Sequence, residues 1–448
     1  MNIRRLHLLA FAAGFLGGAA VDLHATIIQE AYAFPSNASS IFPIGLTLAA
    51  DGALYGVTAN GGTNGVGSVY RYTPAGGFVT LTNFNSVDGN TPQAALISGN
   101  DGALYGTTIF GGASGNGTLF RITTNGVLST VVSFGGTNGT FASARLLQTS
   151  DGSFYGTTAN GGSNTFGTVF RVSTNGTLST LASFAETNGA YPYSGLALGP
   201  DGAFYGTTSG GGQGDNGTIF RVTTNGLLTT LVLFDGNNNG ASPYTALVLG
   251  SDGMFYGLTS SGGGNNLGTI FRVATNGVLT NLLSFVGNNG SDPESDLVLG
   301  NDGAFYSTTY SGGADDNGTA FRITTNGVFT TLALFYGTNG FSPFVPLAAI
   351  NGTFYGTTRY GGSLGGGNIF RIGEAIFTCT MLPLSRAGVN WNVGLTGTVG
   401  SSFRLVRATD VSGPWTTLTN VTFGAGGTAQ YVDTNSIAGR AFYRAVNP

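Results

Sequence analysis

DGAFYGTTSGGGQGDNGTIFRVTTNGLLTTLVLF, residues 201–234, decides the fold because it keeps returning. An Asp-Gly step followed by Phe-Tyr or Leu-Tyr recurs at Asp51, Asp101, Asp151, Asp252 and Asp302, and with Asn in place of Asp at Asn351. Each copy reaches an aromatic-Arg pair at Arg71, Arg121, Arg171, Arg221, Arg272, Arg322 and Arg371. From one Asp/Asn-Gly to the next the steps are 50, 50, 50, 51, 50 and 49 residues. A period near fifty built only of β-type patterns is that of a four-stranded propeller blade. Within a unit four strands are expected: LALG or LVLG, AFYGTT, GTIFRVTT and LTTLVLF. Asp-Gly, Gly-Gly and Asn-Gly between them supply the positive φ of hairpin corners.

The ends of the repeats carry the topology. The seventh copy stops at Ile372 without its fourth strand, and TIIQEAYAF, residues 26–34, supplies one at the other end. Phe34 precedes Asp51 by 17 residues, the interval that separates Phe84, Phe134, Phe184 and Phe285 from their next Asp-Gly. The expectation is an all-β chain: a seven-bladed β-propeller closed by an N-terminal strand, which removes two exposed sheet edges, followed by a small β-sandwich. An eight-bladed ring or an open solenoid is the alternative. Asp or Asn to Arg is 20 residues in all seven copies, and Arg to the next Phe is 13 in all six that have one. All length variation therefore falls between that Phe and the next Asp-Gly, the mark of a surface connection.

Composition narrows the chemistry. The 448 residues include 78 Gly, only 8% charged residues, two histidines and one cysteine, at a formal net charge of −4. All basic side chains are Arg, so lysine chemistry is excluded. Cys379 alone makes neither an internal disulfide nor a zinc site. The acidic balance without a basic run argues against nucleic acid. Arg4 and Arg5 precede an apolar run from Leu8 to Ala20 that is short for a membrane span, so residues 1–25 are expected to be a signal peptide cut after Ala20 or Ala25. The expected divisions are the signal at 1–25, the propeller at 26–373 and the sandwich at 374–448. The expected product is secreted or at the cell surface, without a transmembrane segment after cleavage, and a monomer.

The units FYGTTxxGGxxxxGTxFRxTTNG, clear from Asp51 to Arg371, resemble the GloVer tandem repeats of bacterial "choice-of-anchor" exported proteins. The resemblance implies an exported, surface-bound or secreted bacterial repeat protein; it carries over no catalytic residue. Beyond Gly373 alternating runs around Trp391, Phe403–Arg407, Trp415–Leu418, Gln430–Val432 and Phe442–Val446 suggest about six short strands. Trp391, expected to be buried, and the closing FYRAV loosely resemble a fibronectin type III module, with Cys379 as a core residue.

Three constellations are candidates for chemistry. The seven arginines would form a ring that could hold an anionic ligand; the reading preferred is a framework in which each pairs with the Asp of an Asp-Gly turn or with backbone carbonyls. Asp292, Glu294 and Asp296 alternate, which in an extended segment puts them on one side; a calcium site there, or at Asp315-Asp316, is the weaker expectation, and no other cofactor is expected. The variable connections AYPYSGL, ASPYTAL, SDPESDL and FSPFVPL place Tyr191, Tyr193, Tyr244, Phe341 and Phe344 on one face, where aromatic rings stack on sugars. The ligand-binding set is therefore Tyr191, Tyr193, Tyr244, Asp292, Glu294, Asp296, Phe341 and Phe344. The function expected is a non-enzymatic scaffold binding a polysaccharide or surface protein; a polysaccharide lyase or glycoside hydrolase is the alternative. A quinone-dependent dehydrogenase finds little support without a histidine in the repeats. Besides the acidic connection, Arg145 is the visible break in the repeat's symmetry.

Overall fold

The computed structural model describes residues 10–11, 20–36, 41–350, 352–381, 385–387, 390–397, 402–408, 414, 416–422, 428–434 and 442–446. It divides into two compact units, Ile28–Gly373 and a second comprising Met1–Ile27 with Glu374–Pro448. Among the described residues there is no α-helix, and no helix long and apolar enough to cross a membrane.

Ile28–Gly373 is a seven-bladed β-propeller. A central blade shows the plan: Ala197–Leu198, Phe204–Thr208, Thr218–Val222 and Leu228–Leu233 pair antiparallel in that order, from the axis outward. The seventh blade is completed by Ala20–Pro35, which pairs with Gly365–Met381. The closing strand is held by side chains as well. Glu30 accepts hydrogen bonds from the Ser363 N–H at 2.8 Å and the Ser363 hydroxyl at 2.6 Å, and Gln29 accepts one from Arg371 Nε at 2.8 Å.

Repeated aromatic contacts join the blades. The Phe that ends each outer strand meets the aromatic residue before the repeat Arg in the next blade, as in Phe134–Phe170 at 5.1 Å and Phe184–Phe220 at 4.9 Å. Phe34 of the closing strand meets Tyr70 at 5.7 Å, the same contact across the closure. Nearer the axis, Tyr155 lies 4.3 Å from Phe204, and Tyr205 4.4 Å from Phe255. These rings are buried, so burial and edge-to-face geometry both favour the ring.

In the second unit, Asn390–Gly397 pairs with Ser385–Ala387 and Thr428–Asp433, while Ser402–Ala408 pairs with Thr416–Thr422 and Phe442–Val446. These two sheets agree with the sandwich expected. Asp433 ties them together, ion-paired with Arg407 at 2.6 Å and accepting the Tyr443 hydroxyl at 2.7 Å. The expected burial of Trp391 and Cys379 lies outside the described side chains.

Candidate functional site at the mouth of the channel

The connection that varies in length leads into the innermost strand of each blade, and the Asp-Gly turn follows that strand. The two features therefore mark opposite ends of the channel. At the Asp-Gly end the arginines form the framework expected of them. Arg71, Arg121, Arg171, Arg221 and Arg322 each pair with the turn Asp of their own blade, at 2.6 to 3.4 Å. The repeat Tyr donates its hydroxyl to the same carboxylate, as Tyr205 does to Asp201 at 3.1 Å. Burial pulls the Asp201 carboxyl upward, but Arg221, the Ala203 N–H and Tyr205 outweigh it and hold the group below its ordinary value. Arg371, whose repeat has Asn where the others have the turn Asp, donates to Gln29. Arg272 departs from the pattern, its Nε buried without a hydrogen-bond partner.

The opposite end differs from blade to blade. Phe42, Thr91, Phe141, Tyr191, Ser242, Asp292 and Ser342 occupy one equivalent position, and all have positive φ, from 44° to 62°. A non-glycine residue costs about 1–2 kcal/mol in that region. The reversal is held by hydrogen bonds: the Tyr191 N–H reaches the Phe166 carbonyl, and the Tyr191 carbonyl accepts the Ser209 N–H at 3.1 Å. The side chain two residues later is thereby aimed at the axis. These side chains are chemically unlike. Gln93, Ser143, Tyr193, Tyr244, Glu294 and Phe344 line one pocket of ≈ 340 Å³ together with Phe42, Ile44, Asn60 and Arg359.

Of the expected site residues, Tyr193, Tyr244, Glu294 and Phe344 thus share this pocket. Tyr193 and Tyr244 have ring centroids 5.6 Å apart, inclined at 38°. Tyr191 and Phe341 stand outside the lining: Tyr191 is 38% exposed and packs on Phe166, and Phe341 stacks on Tyr360 at 5.3 Å. The expectation that Asp292, Glu294 and Asp296 share one side is corrected. The chain is not extended at Asp292, where φ is 51°. Asp292 is not part of the pocket lining, Glu294 enters the pocket, and Asp296 lines the separate central cavity. Among the described residues no group of three or more His, Cys, Asp or Glu side chains could hold a metal ion.

Burial, reinforced by the charge of Asp292 and opposed by Arg359, pushes the Glu294 carboxyl up to about 7. Burial also raises Tyr244, helped by the charge of Glu294. Arg359 was not among the residues expected. Its guanidinium carbon lies 4.8 Å from the Phe42 ring, 5.5 Å from Tyr360 and 5.6 Å from Phe344, a three-sided aromatic box. Its sequence signal was positional: the same place holds Ala59, Ile109, Ala159, Ser209, Ser260 and Tyr310 in the other blades.

A repeat-family model, the Gloeobacter/Verrucomicrobia repeat, matches residues 42–248 and again 197–401. The chain belongs to the Gloeobacter/Verrucomicrobia repeat family. Among curated proteins none matches this family member. Solved structures similar to it include a putative 6-phosphogluconolactonase from Bacteroides uniformis, 14% identical, covering 85% of this chain and 99% of that one, with a TM-score of 0.47. A gluconolactonase from Xanthomonas campestris is 11% identical, covering 68% of this chain and 97% of that one, with a TM-score of 0.40. A functionally unknown protein from Desulfotomaculum acetoxidans is 14% identical, covering 65% and 85%, with a TM-score of 0.42.

Proposed function

We propose that this repeat protein is an exported, non-enzymatic propeller that binds a polysaccharide, free or on a cell surface, at the mouth of its channel. One observation carries the reading: Tyr193, Tyr244 and Phe344 converge with Glu294 and Gln93 in one pocket, at positions where the framework imposes no common residue. Aromatic faces stack on the C–H faces of sugar rings, and the carboxyl and amide groups suit sugar hydroxyls. The pocket volume falls in the range of small-molecule sites. A glycan array followed by calorimetry tests this on the full chain. Wild type should bind a glycan, and Tyr193→Ala and Tyr244→Ala should each weaken it about tenfold or more. Undiminished binding by both variants would remove the pocket from the account.

A second reading, a carbohydrate-active enzyme, rests on Glu294. A carboxyl poised near pH 7 suits a general acid, and Asp292 is electrostatically coupled to it. A reducing-end assay on the glycan that binds separates the two. Binding without new ends supports the module, whereas cleavage lost in Glu294→Gln would establish the enzyme.

A further inference from the structure

Deeper than the mouth, the channel has a waist with its own chemistry. The innermost strand of each blade pairs with the repeat Tyr: Thr47 with Tyr55, Ile97 with Tyr105, Leu147 with Tyr155, Ala197 with Tyr205, Val248 with Tyr256, Val298 with Tyr306 and Ala348 with Tyr355. Two residues before each strand residue the chain crosses one ring of equivalent positions. Five of them, Gly45, Ala95, Gly195, Ala246 and Pro346, carry small or apolar side chains or none. The other two are Arg145 and Asp296. They belong to the third and sixth blades, three steps apart in a ring of seven, and so face each other nearly across the axis. Neither the mouth pocket nor the Asp-Gly framework uses them.

The two charges are not joined. Among the described residues no hydrogen bond or ion pair engages the Arg145 side chain, and Asp296 accepts a hydrogen bond only from the Ala246 N–H, at 2.8 Å. Each nevertheless feels the other. Burial pulls the Arg145 guanidinium down while Asp296 opposes the shift; burial raises the Asp296 carboxyl, opposed by the Ala246 N–H and by Arg145. Arg145 is open to the channel cavity, ≈ 640 Å³, which its side chain and Asp296 line together with aliphatic residues such as Leu46, Leu196 and Leu247. Both residues line the channel wall, where their charges are screened less than on an open surface. A cation and an anion held apart across a walled space attract a ligand of the inverse dipole. A simple anion would be repelled by Asp296, and a simple cation by Arg145. The small residues of the ring leave room for such a ligand to lie between them.

We infer that the waist of the channel is a binding site for a small zwitterion, its carboxylate on Arg145 and its ammonium on Asp296. The site is independent of glycan binding at the mouth. Calorimetry and thermal-shift measurements on the full-length protein would use glycine, 4-aminobutyrate and 6-aminohexanoate, which set the charges progressively further apart. Hexanoate and hexylamine serve as single-charge probes. One length should bind best, with both single-charge probes about tenfold weaker or more. Arg145→Gln and Asp296→Asn should each lower the affinity by a similar factor while keeping the wild-type circular dichroism, and Tyr193→Ala should leave it unchanged. The proposal falls if no amino acid of the series binds, if hexanoate or hexylamine binds as well as the best of them, or if the near-isosteric Asp296→Asn binds with wild-type affinity. Should Arg145→Gln fail to fold, the probe series and Asp296→Asn decide.

Discussion

Glu294 occupies a position that other blades give to Gln93, Ser143, Tyr193, Tyr244 and Phe344, and its environment is built for uncharged side chains. Ionising it there means removing a carboxylate from water beside Tyr244 and the charge of Asp292, with only Arg359 in its favour. The sign of the pH dependence follows. Its carboxyl titrates near 7 in the folded protein against an ordinary 4.5, so the folded state holds the proton more tightly. The resulting stabilisation is present in full below pH 4.5 and is lost as pH rises through 7. Its size is on the order of 3 kcal/mol before any relaxation or water entry reduces it. Glu294→Gln should therefore melt higher than wild type at pH 8, with the gap closing toward pH 5. A constant difference across that range would mean that Glu294 ionises freely.

At the scale of the blade, the hydroxyls do work that spacing alone did not reveal. Thr208 and Thr218 are fully buried and share a hydrogen bond of 2.9 Å between neighbouring strands. Thr208 Oγ1 also accepts the Thr218 N–H at 3.1 Å and donates to the Gly210 carbonyl at 2.9 Å. Equivalent pairs join Thr58 to Ser68, Thr158 to Thr168, Thr309 to Thr319 and Thr358 to Asn368. Thr208→Val would leave buried groups unpaired and should cost about 1–3 kcal/mol in chemical denaturation. Arg221→Gln should cost less, about 1 kcal/mol or under, because the Arg221–Asp201 pair is 27% and 36% exposed. A loss at Arg221 larger than at Thr208 would invert this ranking. The contrast shows what was legible. The fixed interval from Asp to Arg announced a repeated partner and the partner was found, because hairpin register converts sequence spacing into contact. Arg359 and the waist were harder to read. They depend on which side chains of seven separate strands converge on the axis, and on a left-handed residue at Asp292 that broke the alternation on which the acidic triplet was read.

For the whole molecule the question is what keeps seven similar blades in a closed ring. Each interface repeats the same contacts, so no blade is a unique keystone, but one interface depends on chain segments more than 300 residues apart in sequence. There the Thr357 hydroxyl reaches the Pro43 carbonyl at 3.1 Å, and Phe34, 1% exposed, packs on Tyr70 and Phe78. Phe184, buried against Phe220, is the internal control, since its strand is continuous with its own blade. Truncating a buried Phe costs about 3–5 kcal/mol, so Phe34→Ala and Phe184→Ala should lower stability by comparable amounts. Removing residues 26–34 goes further: it exposes the outer edge of the seventh blade and uncovers Tyr70 in the first. That deletion should depress the melting temperature well below Phe34→Ala, and the exposed edge should make the protein prone to associate through strand pairing, visible by size-exclusion chromatography. A deletion variant that melts with the wild type would show that the other interfaces hold the ring without its closing strand.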